Sequence, residues 1–158
     1  MITNWEIAEW FKAKHSVEDV VAMNIGGSYE TKDVLLRMVP AIHSSGLPDG
    51  SYGGTAAGFV MKIRDRRFYF ACDTALFSDM KWHAGGCDVA VVPIGDRFTM
   101  GVHDSIEAVK IFEPRHVLPT HYNTWPPIEQ DAAAWATKIR SESDAKPVVL
   151  GVGESFEI

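Results

Sequence analysis

Apolar and polar positions alternate along this chain in two rhythms. In the first segment, Ile7, Trp10 and Phe11 share one helical face, and Thr3 and Glu6 have capping-box spacing, which predicts an opening helix. Val17 to Met23 is short and β-rich, and Asn24-Ile25-Gly26-Gly27-Ser28 reads as a turn. Strand-like runs follow. Val34 to Ile42 is apolar and ends at His43-Ser44-Ser45. Ala57 to Ile63 is joined through Arg64-Asp65-Arg66 to Arg67 to Ala71, a hairpin whose second arm alternates Phe68 and Phe70 against Tyr69 and Ala71. Asp88 to Ile94 is continuously apolar after its first residue, the pattern of a buried strand.

The carboxyl-terminal half returns to the helical rhythm. Ile106, Val109 and Phe112 form a stripe, Asp104 and Glu107 have capping-box spacing, and Pro114 ends the helix. His116 to Pro119 is a short strand. A last helix is expected over Ile128 to Arg140, with Ile128, Ala132, Trp135 and Ile139 on one face. Val148 to Leu150 and Ser155 to Ile158 read as closing strands. The mixture predicts an α/β (α+β) protein of stacked helix and sheet layers rather than a pure βαβ wind.

The 158 residues suit one domain with a sizeable core, spanning positions 1–158. A net charge of -6 would repel a polyphosphate, so nucleic acid is demoted as a partner. Cys72 and Cys87 make no C-x-x-C pair and no disulfide framework, which suits a reducing compartment. The first residues, Met-Ile-Thr-Asn-Trp-Glu, do not read as a secretory signal, and no apolar run approaches the roughly 18 residues of a membrane span. A cytoplasmic location is expected.

Three strands end in a polar group of ligand type: His43, Asp73 and His121. Sites in layered α/β proteins gather outside the carboxyl ends of strands, and imidazole and carboxylate suit zinc, manganese or iron. Each residue also has a plain alternative. His43 fits a surface turn, Asp73 fits a cap before Thr74, and His121 fits a satisfied core histidine. His15, His83, His103 and His116 read as structural or solvent-exposed. Cys87 reads as an inert core thiol, and Cys72 adjoins the proposed site. Trp125 follows the His121 segment and is a candidate border of a substrate pocket.

Four segments occur in a telling order: Ala41-Ile42-His43-Ser44-Ser45, Cys72-Asp73-Thr74-Ala75-Leu76-Phe77-Ser78-Asp79-Met80, Pro93-Ile94-Gly95-Asp96-Arg97-Phe98-Thr99-Met100-Gly101 and Thr120-His121-Tyr122-Asn123-Thr124. They resemble small bacterial and archaeal metal-dependent hydrolases of the metallo-β-lactamase superfamily. The nearest group is related to the L-ascorbate-6-phosphate lactonases, and the similarity covers essentially the whole chain. The resemblance implies an αββα sandwich with two metal ions, zinc or manganese, at one edge. It makes His43 a ligand of the first metal, Asp73 the bridge between the metals, and His121 a ligand of the second. The reaction it implies is attack of an activated water on an ester, lactone or phosphodiester of a small-molecule substrate. Thr74 and Asn123 are weaker candidates, as substrate donors or as groups orienting ligands. Asp96 is read as structural.

The chain departs from the family pattern twice. Cys72 stands where the family usually has glycine, immediately before the bridging aspartate. The family's H-x-H-x-D-H loop, which supplies most ligands of the first metal, occurs nowhere in the chain. The first strands of the amino-terminal half are expected to be missing with it, leaving an uncovered sheet edge. The expectation is therefore weak metal binding and little or no hydrolysis by this chain alone. It would be a fragment, a piece complemented by a separately encoded amino-terminal segment, or a degenerate member. The competing expectation is a non-catalytic module serving in oligomerisation or protein interaction, including a homo-oligomer.

Overall fold

The computed structural model describes residues 1–158. The chain opens with a small βαβ unit: β1 (Ile2–Asn4), α1 (Trp5–His15) and β2 (Val21–Met23), with β1 and β2 paired in parallel. The cap of α1 is Asn4, whose Oδ1 accepts a hydrogen bond from the Ile7 backbone N–H at 3.2 Å. The expected cap, Thr3, is instead paired with Ala22 in the two-stranded sheet.

The main sheet has seven strands in sequence order. These are β3 (Ser28–Glu30), β4 (Val34–Pro40), β5 (Ala57–Ile63), β6 (Arg66–Phe70), β7 (Val89–Pro93), β8 (His116–Thr120) and β9 (Lys146–Pro147). From β3 to β6 the strands are antiparallel; from β6 to β9 they are parallel. Three helices connect the parallel strands: α2 (Met80–Ala84), α3 (Val102–Phe112) and α4 (Ala132–Glu142). Half of the sheet is thus a meander and half is wound, which accounts for the mixed reading of the sequence.

Several expected boundaries move. The turn between β5 and β6 is Arg64-Asp65 alone, because Arg66 pairs with Ile63. Helix α3 starts at Val102 with Gly101 as its cap, and Ser105 N–H donates to the Gly101 carbonyl at 3.0 Å. Asp104 therefore sits in the first turn, where it meets the helix dipole, and Glu107 pairs with Lys110 at 2.9 Å. Helix α4 starts late because Pro126–Ile128 forms a single 3-10 turn and Glu129 is extended. Asp131 then caps it, accepting from Ala133 and Ala134 N–H at 3.0 and 2.9 Å. Neither expected closing strand forms: the pairing falls earlier, at Lys146–Pro147, and a Val148 N–H bond to Val117 O at 2.9 Å is the last rung. Beyond it the chain turns, with Gly153 at φ 87°. Trp82-His83-Ala84 belongs to the short helix α2.

The two faces of the main sheet differ in what covers them. The register lines up Arg37, Val60, Tyr69, Ala90 and Val117 across five strands on one face. That face meets the helices. Tyr69, Ala90 and Val117 join Phe112, Trp135 and Ile139 in one buried core, and the Tyr69 and Phe112 rings meet edge-to-face at 5.5 Å. The adjacent rows, pointing the other way, are equally apolar: Met38, Phe59, Phe70, Val91 and Leu118, then Leu36, Met61, Phe68 and Val89. Met38 and Val89 are buried there, but Leu36, Phe59, Met61, Phe68, Phe70, Val91 and Leu118 are only half-buried. No helix of the chain is long and apolar enough to cross a membrane.

Candidate metal centre

Strands β4 and β6 are both antiparallel to β5, and β6, β7 and β8 are mutually parallel. Strands β4, β6, β7 and β8 therefore run in one direction, as does β9, and their carboxyl ends lie along one edge of the sheet. His43 follows β4, Asp73 follows β6, Asp96 and Arg97 follow β7, and His121 follows β8. Residues far apart in sequence meet at this edge because topology puts four chain exits side by side.

A groove of about 690 Å³ runs along that edge, lined by Ile42, His43, Ser44, Asp73, Arg97, Phe98, His121 and Trp125. His121 Nε2 lies 3.6 Å from Asp73 Oδ2, outside hydrogen-bond distance. The other ring nitrogen of His121, Nδ1, is buried without a partner. His43 Nδ1 lies 2.8 Å from the Ser44 carbonyl oxygen, which would hold the proton on Nδ1 and leave Nε2 free to ligate. All three sequence candidates thus line one groove, and two of them face each other. No group of three or more His, Cys, Asp or Glu converges as a metal cage anywhere in the chain.

The loops that carry these residues are tied together by Thr74, which is fully buried. Its Oγ1 accepts from Ile42 N–H at 2.9 Å and donates to the Ala75 carbonyl at 2.9 Å. Ala75 N–H donates to Ile42 O at 3.0 Å, and Met100 N–H donates to Thr74 O at 2.9 Å. Thr74 therefore connects the His43, Asp73 and Arg97 loops and presents no free group to the groove. Asn123 is also occupied. Its Oδ1 accepts from Gln130 N–H at 2.7 Å, and the residue lines a separate depression with Glu129, Gln130 and Asp131.

Backbone strain is concentrated here. Eight non-glycine residues have positive φ. Ser16 and Glu113 are helix caps, and Arg64 is in the β-hairpin turn. The other five, Cys72, Asp96, Arg97, His121 and Asn123, are all in the loops at the candidate edge, with φ of 51–62°. Such conformations cost about 1–3 kcal/mol each and persist where the surroundings over-determine them. At Cys72, φ is 56°, which explains why glycine suits that position. Gly95 has a different reason to be small: a Cβ there would overlap the His121 carbonyl oxygen and come within 3.0 Å of its Nδ1.

Of the cysteines and the other histidines, only Cys72 adjoins the groove. Burial pushes the Cys87 thiol up to about 12, consistent with an inert core thiol. Burial, and then the Asp73 carboxylate, also raise Cys72. Burial, and then Arg37, lower His83. His15 and His103 are exposed, and the His116 ring packs against Phe156 at 5.1 Å. Arg97 and Phe98 line the groove although residue type alone did not single them out; their place in the Pro93–Gly101 segment was the available signal.

The pattern of the beta-lactamase superfamily domain matches residues 2–122. This chain belongs to the metallo-β-lactamase superfamily. Within the superfamily it is 43% identical over 166 residues to a UPF0173 metal-dependent hydrolase of Methanospirillum hungatei, covering 100% of this chain and 74% of that protein. A UPF0173 metal-dependent hydrolase of Thermus thermophilus is 46% identical over 143 residues, 90% of this chain. The chain spans 63% of that relative's length. Among solved structures, the metallo hydrolase Igni18 of Ignicoccus hospitalis superposes with a TM-score of 0.85 at 30% identity, over 99% of this chain and 68% of that one. An isothiocyanate hydrolase from Delia radicum gut bacteria shares the fold, with a TM-score of 0.74 at 14% identity over 99% of this chain and 66% of that one.

Proposed function

We propose that this chain carries part of the active site of a cytoplasmic metal-dependent hydrolase acting on a small-molecule ester, lactone or phosphodiester. The observation that carries the reading is the shared groove of His43, Asp73 and His121, with His121 Nε2 facing Asp73 Oδ2 and no hydrogen bond to either of those two atoms. These donors fit zinc or manganese in kind: two imidazoles and a carboxylate whose two oxygens suit a bridging position. They do not fit in number. A catalytic zinc generally takes three protein ligands and keeps one position open, and two ions would divide these three residues between them. A bound divalent metal would supply a Lewis acid and an acidified water. The chain's own residues supply ligands and hold them in place: Thr74 locks the two ligand-bearing loops, and Gly95 leaves room for His121.

The site then needs donors from outside these residues. The half-buried apolar face of the main sheet is where an amino-terminal segment, covalently joined or separately encoded, would pack. The same face favours the second reading, a non-catalytic module that associates through it, as a homo-oligomer or with another protein.

Zinc and manganese titrations by calorimetry separate the readings. The chain alone is expected to bind weakly and to hydrolyse little. Joined to the amino-terminal region of the Thermus thermophilus relative, it is expected to bind tightly and gain hydrolysis. His121→Ala in the joined protein should remove metal and activity together. Unchanged metal content in that variant would sink the ligand assignment. A stable oligomer of the chain, indifferent to metal and chelator, would favour the module.

A further inference from the structure

The groove that holds His43, Asp73 and His121 is also lined by Arg97, Phe98 and Trp125, none of which the metal centre uses. The rings of Phe98 and Trp125 stack with centroids 5.5 Å apart and planes 15° from parallel. Both remain nearly half exposed, at 46% and 48%. The Arg97 guanidinium carbon lies 5.6 Å from the Phe98 ring centroid. None of the chain's salt bridges or side-chain hydrogen bonds involves that guanidinium. In a chain of net charge -6, an unpaired arginine on an aromatic wall is a cation held ready for an anion.

The loop is built to hold this arrangement. Asp96 and Arg97 are consecutive residues at φ 62° and 51°. Asp96 N–H donates to Met100 O at 3.1 Å, Arg97 N–H donates to Asp96 Oδ1 at 2.7 Å, and Gln130 Nε2 donates to Gly95 O at 3.3 Å. The Met100 bond to Thr74 then ties the loop to the strand end that carries Asp73. Two strained residues fastened on both sides fix the position of Arg97 and Phe98 relative to the groove.

We propose that Arg97, Phe98 and Trp125 form a recognition subsite for a flat group bearing a carboxylate or phosphate. The aromatic pair takes the flat face and the guanidinium takes the anion. As a substrate subsite this rests on the hydrolase reading of the groove; as a binding site it does not.

The test uses the full chain in chelator, so that no metal contributes. Phenylphosphonate and benzoate are titrated against methylphosphonate, acetate and benzyl alcohol, with NMR following the Arg97 and Trp125 side-chain resonances. The flat anions are expected to bind at least ~10-fold more tightly than the probes lacking either ring or charge. Arg97→Gln should bring the flat anions down to the level of benzyl alcohol. Trp125→Ala should weaken every ring-bearing probe and leave methylphosphonate unchanged. Both residues are exposed, and circular dichroism melts of the variants provide the folding control. Equal affinities for all probes, or an Arg97→Gln variant that keeps the preference, would overturn the subsite. The ratio of phenylphosphonate to benzoate affinity names the anion. His121→Ala should leave this preference intact, so loss of the subsite and loss of the metal assignment are separate outcomes.

Discussion

The two faces of the main sheet have nearly the same chemistry and opposite fates. On one, Tyr69, Ala90 and Val117 lie beneath Phe112, Trp135 and Ile139 and are shut away from water. On the other, Phe59, Phe68, Phe70 and Leu118 keep part of their surface in solvent. Hydrophobicity by itself does not make a core. Burial stabilises by roughly 25 cal/mol per Å² only where another layer removes the area from water. The helical layer supplies that partner for one face, and the chain places no comparable layer over the other.

Truncation on the covered side should have the largest effect. Trp135 is fully buried and its Nε1 donates to Ser105 Oγ at 3.0 Å. Trp135→Ala should lower the unfolding free energy by about 3–5 kcal/mol, read from urea denaturation. The site edge comes next. Thr74→Val keeps the shape but strands the Ile42 N–H, and should cost about 1–3 kcal/mol. Metal titration of the same variant tests whether the strap also positions His43 and Asp73; unchanged affinity would limit Thr74 to stability.

The bare face should respond less. Phe59→Ala is expected to cost about 1 kcal/mol in the isolated chain, well under the Trp135 value, since its ring is only half-buried. A cost comparable to Trp135→Ala would mean that something covers this face in solution, and would break the comparison. The smallest effect is expected at the sheet end opposite the groove. There Asp88 accepts from Arg67 N–H at 2.9 Å and pairs with Arg66 and Arg115 at 3.1 and 3.3 Å. The Arg67 backbone bond, followed by the side-chain bonds from Arg66 and Arg115, lowers its carboxyl below the ordinary range despite some desolvation. A carboxyl lowered in the folded state binds its proton more readily when unfolded. Its contribution is therefore present at neutral pH and fades as the pH falls through the carboxylate range and below. Asp88→Asn should cost up to about 1 kcal/mol at pH 7 and flatten the acid limb of the stability–pH curve, read from melting temperatures at pH 7 and pH 3.

Much of this organisation was readable in the residue order. The β5–β6 hairpin, the buried β7 and the helix ending at Pro114 follow from local pattern, because alternation, an unbroken apolar run and proline each act within a few residues. Boundaries set by distant partners were not readable. Thr3 has capping chemistry but is taken into β1 by Ala22, so Asn4 becomes the cap. Ser155 to Ile158 has strand-like composition and finds no strand to pair with. At the candidate site, residue type pointed to His43, Asp73 and His121. Residue type did not mark Arg97 and Phe98, whose position depends on a loop fastened to Thr74 and Gln130.

Sequence alone determined which residues have ligand chemistry, where glycine and proline punctuate the chain, and the absence of H-x-H-x-D-H from it. Those are properties of side chains and of short spacing, and they do not depend on the fold. Tertiary structure decided that four strands run the same way and deliver His43, Asp73, Arg97 and His121 to one groove. It also decided which of two equally apolar sheet faces became the core. Both outcomes come from contacts between segments tens of residues apart, whose geometry is set by strand pairing and layer packing rather than by any local pattern.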